Sequence, residues 1–357
     1  MASIYELLEE VIRLDATDLH LTPGLPPEFR VSQQLVPYED STLLTPESCK
    51  ELVYCVLTAE QKKRLETHEE VDFAFSVDKL SRFRGNAFWE RGNVACALRR
   101  IPFEIPTMRE LGLPLIAESL VQKTRGLILV SGPTGSGKST TLAAMIDKIN
   151  TERACHIITI EDPIEYIHTH KKGLIQQREL GQDTQSFALA LKYALRQDPD
   201  AILVGEMRDL ETIGAALTAA ETGHIVLSTL HTDSATESIN RIIDVFPAYQ
   251  QHQVRSQLAL TLEGVLVQRL LPKASGRGLC LAMEIMIATS AIRAIIRDNR
   301  VHEIYGTIQA SQKSGMQTMN MSLLAQVKRG VLSWRTAMIA SPIPEELQRM
   351  KDKETNE

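Results

Sequence analysis

The chain has 357 residues, 43% of them apolar and 24% charged, with a net charge of −6 at pH 7. That length leaves room for two or three domains of an ordinary globular protein, and the negative balance argues against a general nucleic-acid binder. No apolar run approaches the roughly 18–20 residues that a bilayer span needs, and the five cysteines form no CxxC pair, which points to reduced, mostly buried thiols of a cytoplasmic protein.

Near the start, Ile4, Leu7, Leu8, Val11 and Ile12 recur at helical spacing among glutamates. The spacing predicts an amphipathic helix rather than a signal peptide. Short alternating stretches follow at Asp72–Val77 and Phe83–Phe88, with turn residues upstream at Pro23-Gly24 and Pro26-Pro27. Alternation between turns predicts strands, so residues 1–101 read as a small α+β domain. Pro102, Pro106 and Pro114 then mark a linker over residues 102–113.

From Gly126 onward the texture changes. Apolar runs of strand length lie at Leu127–Val130, Ile157–Ile160, Ala201–Val204 and Ile225–Leu230. Helical stretches at Ser139–Asn150, Thr184–Arg196 and Leu210–Ala220 separate them. Strand and helix in alternation predict a parallel sheet with helices packed on it. Residues 114–357 therefore read as an α/β domain. The tail beyond Ser341 is polar and predicts a frayed end.

One motif carries chemistry by itself. Gly132-Pro133-Thr134-Gly135-Ser136-Gly137-Lys138-Ser139 fits GxxxxGK[ST], after a buried-type strand and at the start of a helix that continues with Thr140. The glycines let backbone N–H groups turn toward phosphate oxygens, and the helix N-terminus adds positive potential. Lys138 is placed to reach the β- and γ-phosphates of ATP, and Ser139 to ligate Mg²⁺.

The other strand ends supply the rest of a hydrolytic site. In open α/β sheets, ligands bind beyond the carboxyl ends of the strands. Those ends carry Glu161-Asp162-Pro163, Gly205-Glu206 and His231. Phosphoryl transfer to water needs a water-activating carboxylate and a carboxylate in the metal shell. Glu161 is assigned as the general base and Glu206 as the Walker B carboxylate acting on Mg²⁺ through water, with the reverse assignment left open. His231 is a candidate γ-phosphate sensor. His224, seven residues earlier at the opposite end of the same strand, is roughly 20 Å away at about 3.3 Å per residue and does not suit that site.

The motifs GPTGSGKSTTLAAM, TIEDPIEYIH, RQDPDAILVGEMRD and LTAAETGHIVLSTLHT are similar to the Walker A, Asp box, Walker B and His box of the type II/IV secretion ATPases. DLHLTPGLPP near residue 20, NRIIDVFPA near 243 and GMQTMNMSLL near 318 extend the match almost from end to end. Within that family the chain resembles the type IV pilus retraction ATPases, which drive twitching motility. The resemblance implies a PAS-like N-terminal domain, a RecA-like C-terminal domain and a homohexameric ring bound to an inner-membrane pilus platform protein. It also implies a cytoplasmic location, peripheral to the inner membrane, with no direct membrane insertion and no nucleic-acid partner.

The resemblance further implies that the N-terminal domain supplies arginines to bound nucleotide, and the family's pair falls at Arg84 and Arg99. A guanidinium there would neutralise charge building on the γ-phosphate. Arg196 matches another family arginine, which couples neighbouring domains. Lys192 and Gly214 stand where the family has arginines. Ala291–Arg297 resembles the retraction signature AIRNLIR, with Ala294 in place of asparagine. Assembly ATPases carry a long N-terminal extension and a four-cysteine zinc module; this shorter chain without CxxC fits retraction better. Three other readings stand beside it, the first an accessory retraction or pilus-assembly ATPase of the same family. A RecA-type DNA translocase predicts DNA-stimulated, salt-dependent activity, and a scaffold subunit predicts ATP binding without turnover.

Overall fold

Ser3 and Glu6 start the first helix reciprocally: Glu6 N donates to Ser3 Oγ at 3.3 Å, and Ser3 N donates to Glu6 Oε2 at 2.7 Å. This capping box opens α1 (Ile4–Arg13), whose Ile4, Leu7, Leu8 and Val11 are buried. The computed structural model describes residues 2–31, 34–38, 42–78, 80–101, 104–276 and 278–355. Their contacts divide the chain into two units, Met1–Glu104 and Ile105–Glu357. Pro102, one of the linker prolines, lies outside the described residues.

In the first unit, α1 is followed by β1 (Asp18–Leu21), β2 (Glu28–Val31), β3 (Gln34–Pro37), α2 (Pro46–Tyr54) and α3 (Ala59–Glu66). Then come β4 (Val71–Val77), β5 (Ser81–Glu90) and β6 (Asn93–Ile101). The six strands pair antiparallel in the order β3-β2-β1-β6-β5-β4. Leu19, Leu21, Phe29, Phe83 and Leu98 share one core with the buried residues of α1, α2 and α3. Because side chains alternate along a strand, Asp18, Arg84 and Arg99 fall on the other face.

The second unit adds α4 (Leu115–Val121), β7 (Gly126–Ser131), α5 (Lys138–Glu152), β8 (His156–Glu161), β9 (Leu174–Glu179) and α6 (Phe187–Ala194). After these come β10 (Ala201–Val204), α7 (Leu210–Glu221), β11 (Ile225–Leu230), α8 (Ala235–Asp244), α9 (Ala248–Thr261), β12 (Leu262–Pro272) and β13 (Leu279–Ile287). The sheet order is β13-β12-β7-β11-β10-β8-β9, with every pairing parallel except β12–β13. Leu127, Leu129, Ile158 and Ile202 pack on one face with α6 to α9, while Ile128, Val130, Ile157 and Leu203 pack on the other with α4 and α5. Burial on both faces explains the continuous apolar runs. Met108 and Leu113, from the predicted linker, are buried in this unit's core.

Past the sheet lie α10 (Ser290–Arg297), α11 (Ile304–Ala310), α12 (Met319–Lys328), α13 (Trp334–Ala340) and α14 (Pro344–Thr355). The last is a correction, because the tail beyond Ser341 is helical and not frayed. Leu347 is fully buried with Met319, Leu323 and Ala337. Glu346 binds Asn320 Nδ2 at 2.6 Å, Gln309 Nε2 at 2.9 Å and the Tyr305 hydroxyl. One deep apolar anchor and a shared carboxylate hold a helix whose composition is otherwise polar. The predicted helix over Thr184–Arg196 is also shorter, since Ser186 accepts from Leu189 N at 3.2 Å and caps its start.

Candidate nucleotide site

Three glycines in the loop between β7 and α5 adopt left-handed backbone: Gly132 (φ 139°), Gly135 (φ 79°) and Gly137 (φ 85°). Only glycine takes these angles without a steric penalty. Gly132 is confined as well, because a Cβ there would lie 2.4 Å from the Gln268 carbonyl oxygen and 2.7 Å from Ser136 Oγ. Gly137 is the N-cap of α5, and no side chain bonds the helix end there. The first N–H groups of α5 thus have no side-chain acceptor, which suits an anion. Ser136 is buried, and its Oγ finds no partner among the described residues.

Lys138 is buried and folds back on the loop, donating from Nζ to Gly132 O at 2.8 Å and Pro133 O at 3.0 Å. Burial pushes its ammonium pKa down, and the charges of Glu206 and Glu165 oppose that shift. An orphaned hydroxyl, a glycine cradle and a buried cation together fit a polyphosphate.

The register of the parallel strands brings the predicted strand-end groups to one edge. Leu230 pairs with Ser131, so His231 follows β11 where Gly132 follows β7. Val204 pairs with Ile160, and Gly205 N donates to Ile160 O at 2.8 Å. A Cβ at Gly205 would sit 3.3 Å from Glu161 Cα, so glycine allows the close approach of the two strand ends. Glu206 Oε2 lies 3.4 Å from His231 Nε2 and 2.6 Å from Arg208 Nε.

Glu161 is only partly exposed. Burial pushes its carboxyl up to about 7, against hydrogen bonds from Thr159, Gln177 and the Glu165 backbone that favour the charged form. A carboxylate near 7 is suited to general-base work at neutral pH. The donor set also fits Mg²⁺: Ser139 and Glu206 offer hard oxygens, and Mg²⁺ takes few protein ligands beside phosphates and water.

Arg84 and Arg99 belong to the first unit. They are register partners on β5 and β6, and Arg99 Nε donates to the buried Asp18 Oδ1 at 2.8 Å. Arg196 is exposed in a turn beyond α6, 6.0 Å from the Tyr193 ring. His224 Nδ1 lies 2.9 Å from Ala219 O at the end of α7, at the opposite end of β11 from His231. In α10, Ile292, Ile295 and Ile296 are buried, while Arg293 donates to Ala288 O at 2.9 Å and to Ala259 O and Leu260 O at 2.8 Å. Arg297 points to solvent.

Several neighbours of the site were not anticipated from sequence. Tyr166 reaches Thr140 Oγ1 at 3.0 Å, and Gln177 reaches Glu161. Gln268 Nε2 donates to Thr141 Oγ1 at 2.8 Å. Glu165 and Tyr166 stand inside the TIEDPIEYIH motif and could have been flagged there. Gln177 and Gln268 carry no local signal, because only the strand pairing places them.

A family described as type II/IV secretion system protein matches residues 100–339. The type IV pilus retraction ATPase PilT of Pseudomonas aeruginosa (strain PAO1) is 48% identical over 342 residues, covering 96% of this chain and 99% of that protein. The chain belongs to the type II/IV secretion ATPase family. Within that family, the P. aeruginosa type IV pilus ATPase PilU is 40% identical, over 97% of this chain and 90% of its own. A crystal structure of the pilus retraction motor PilT with bound ADP superposes with a TM-score of 0.93 at 50% identity, covering 98% of this chain and all of that one. The second unit is accordingly the RecA-like fold of the secretion ATPases, beside an α+β first unit. A nucleotide site is a property of this family member. Among the described residues, no helix is long and apolar enough to cross a membrane.

Proposed function

We propose that this chain is the ATP-hydrolysing motor of type IV pilus retraction, working as a homohexamer at the cytoplasmic face of the inner membrane on a pilus platform protein. The observation that carries this reading is the likeness to PilT over 96% of the chain and 99% of the relative. It is supported by Lys138 at the start of α5 and by the strand-end groups Glu161, Glu206 and His231. ATP would lie on Gly132–Thr140, with Lys138 on its phosphates. Mg²⁺, held by Ser139 and by Glu206 through water, would supply charge neutralisation at the phosphates. Glu161 would take the proton of the attacking water, and His231 would sense the γ-phosphate. Arg84, Arg99 and Arg196 would sense nucleotide charge. Rotation between the two domains about their junction near Glu104, ahead of the buried Met108 and Leu113, would supply the stroke.

Deletion of the gene from a piliated host tests the reading. Labelled pili should extend but fail to retract, and twitching should stop; the parent gene should restore both, and Lys138→Ala should not. Retraction and twitching that persist after deletion would overturn it. The 40% identity to PilU favours a second reading, an accessory retraction ATPase. In that case deletion should slow retraction without abolishing it.

A further inference from the structure

β8 and β9 pair in parallel with Thr159 opposite Gln177 and Glu161 opposite Glu179. Residues two apart share a face of the sheet, so these four side chains stand together. Thr159 is fully buried and donates from Oγ1 to Glu161 Oε1 at 2.6 Å. Gln177 donates from Nε2 to the same oxygen at 3.2 Å. That same amide nitrogen donates to Tyr166 O at 2.8 Å, and Gln177 Oε1 accepts from His168 N at 2.8 Å. Glu179 accepts from Ile164 N at 3.1 Å. The loop after β8 is therefore fastened to β9 at Ile164, Tyr166 and His168, and Tyr166 touches Thr140 in the first turn of α5.

We propose that Thr159 and Gln177 are positioning residues for Glu161, and that Gln177 ties the carboxylate's orientation to the loop that meets the nucleotide-binding helix. The proposal rests on the reading of Glu161 as the water-activating base. An oxygen that holds two side-chain donors resists rotation of the carboxylate about its last torsion. A positioned base gains rate from being held near its productive geometry. The amide of Gln177 makes three hydrogen bonds at once, so the base and the loop cannot move separately without breaking one of them.

A merely structural role for Thr159 makes the opposite forecast from a positioning role. In a buried strand, valine keeps the shape of threonine and its β-branch, whereas serine loses a methyl group. Positioning requires the hydroxyl, which serine keeps and valine lacks. The test is steady-state ATP hydrolysis by the full chain, with kcat and KM measured for the parent, Thr159→Val, Thr159→Ser, Gln177→Leu and Glu161→Gln. Thr159→Val and Gln177→Leu should each lower kcat by about tenfold with KM for ATP within about twofold. Thr159→Ser should stay within about twofold of the parent. Thermal unfolding checks each variant, and where Gln177→Leu fails to fold, the valine and serine pair decides.

A Thr159→Val variant at parental kcat, or one that outperforms Thr159→Ser, overturns the positioning role while a slowed Glu161→Gln leaves the base reading standing. Parental kcat in Glu161→Gln overturns the base reading itself, and the positioning role with it.

Discussion

Gly132 packs against Gln268 so closely that any β-carbon would collide with the Gln268 main chain, 2.4 Å from its carbonyl oxygen. The strand carrying Gln268 cannot easily retreat, because β12 pairs with β7 on one side and β13 on the other. The same Gln268 reaches Thr141 in α5 with its side chain. One residue of β12 thus contacts both the start of the phosphate loop and the first turn of α5.

Gly132→Ala is therefore expected to damage the loop twice, by the collision and by a φ of 139° that alanine resists. Affinity for ADP, measured by calorimetry, should fall by at least about tenfold, and the melting temperature should drop by a few degrees, on the order of 1–3 kcal/mol. An alanine variant that binds ADP as the parent does would show that the loop relaxes around the side chain.

Glu206 shares Oε2 between Arg208 and His231. If this carboxylate serves the Mg²⁺ shell, the exposed Arg208 competes for it. Arg208→Ala should lower the Mg²⁺ concentration for half-maximal turnover by about two- to fivefold, the range of an exposed ion pair. An unchanged or higher Mg²⁺ requirement would count against Glu206 as the metal-shell group.

The raised carboxyl of Glu161 has a consequence for stability. Its pKa goes up from the ordinary 4.5 to about 7 because burial disfavours the charge. The folded chain then holds this proton to higher pH than the unfolded chain does. The stability it contributes is full below the unfolded value and is lost as pH rises through about 7. Glu161→Gln removes the titration. Its melting temperature, relative to the parent's, should rise between about pH 5 and pH 8 in nucleotide-free protein. A difference that stays flat with pH would place the carboxyl in water.

The C-terminal helix is held by Leu347 and by the contacts of Glu346. Leu347→Ala should cost about 2–5 kcal/mol, the usual range for a buried leucine. Chemical denaturation of the parent and the variant measures it. A loss under about 0.5 kcal/mol, as for a surface site, would return this segment to a frayed tail.

The central sheet was legible because strands buried on both faces leave unbroken apolar runs, and Ala201–Val204 and Ile225–Leu230 match their elements residue for residue. β9 was not legible. Leu174–Glu179 sits at the sheet edge, and its Gln176, Gln177 and Arg178 break any apolar pattern. α14 was misread because its helical period rests on few apolar positions, of which Leu347 alone is fully buried. At the site, the phosphate loop and the strand-end acids were readable from motif and position. Gln177 and Gln268 were not, since pairing across the sheet brings them there. The role of Arg293 was also hidden, because its acceptors, main-chain carbonyls of α9 and of the residue after β13 and the Glu263 carboxylate on β12, are brought to it by tertiary packing.

Phosphate release from ATP and Mg²⁺ by the purified full-length chain tests the central claim most directly, with Glu161→Gln beside the parent. The variant should bind ATP with near-parental affinity and release phosphate at least about a hundredfold more slowly, the contribution expected of a general base. Parental turnover by Glu161→Gln would contradict the assignment of the water-activating carboxylate to the end of β8.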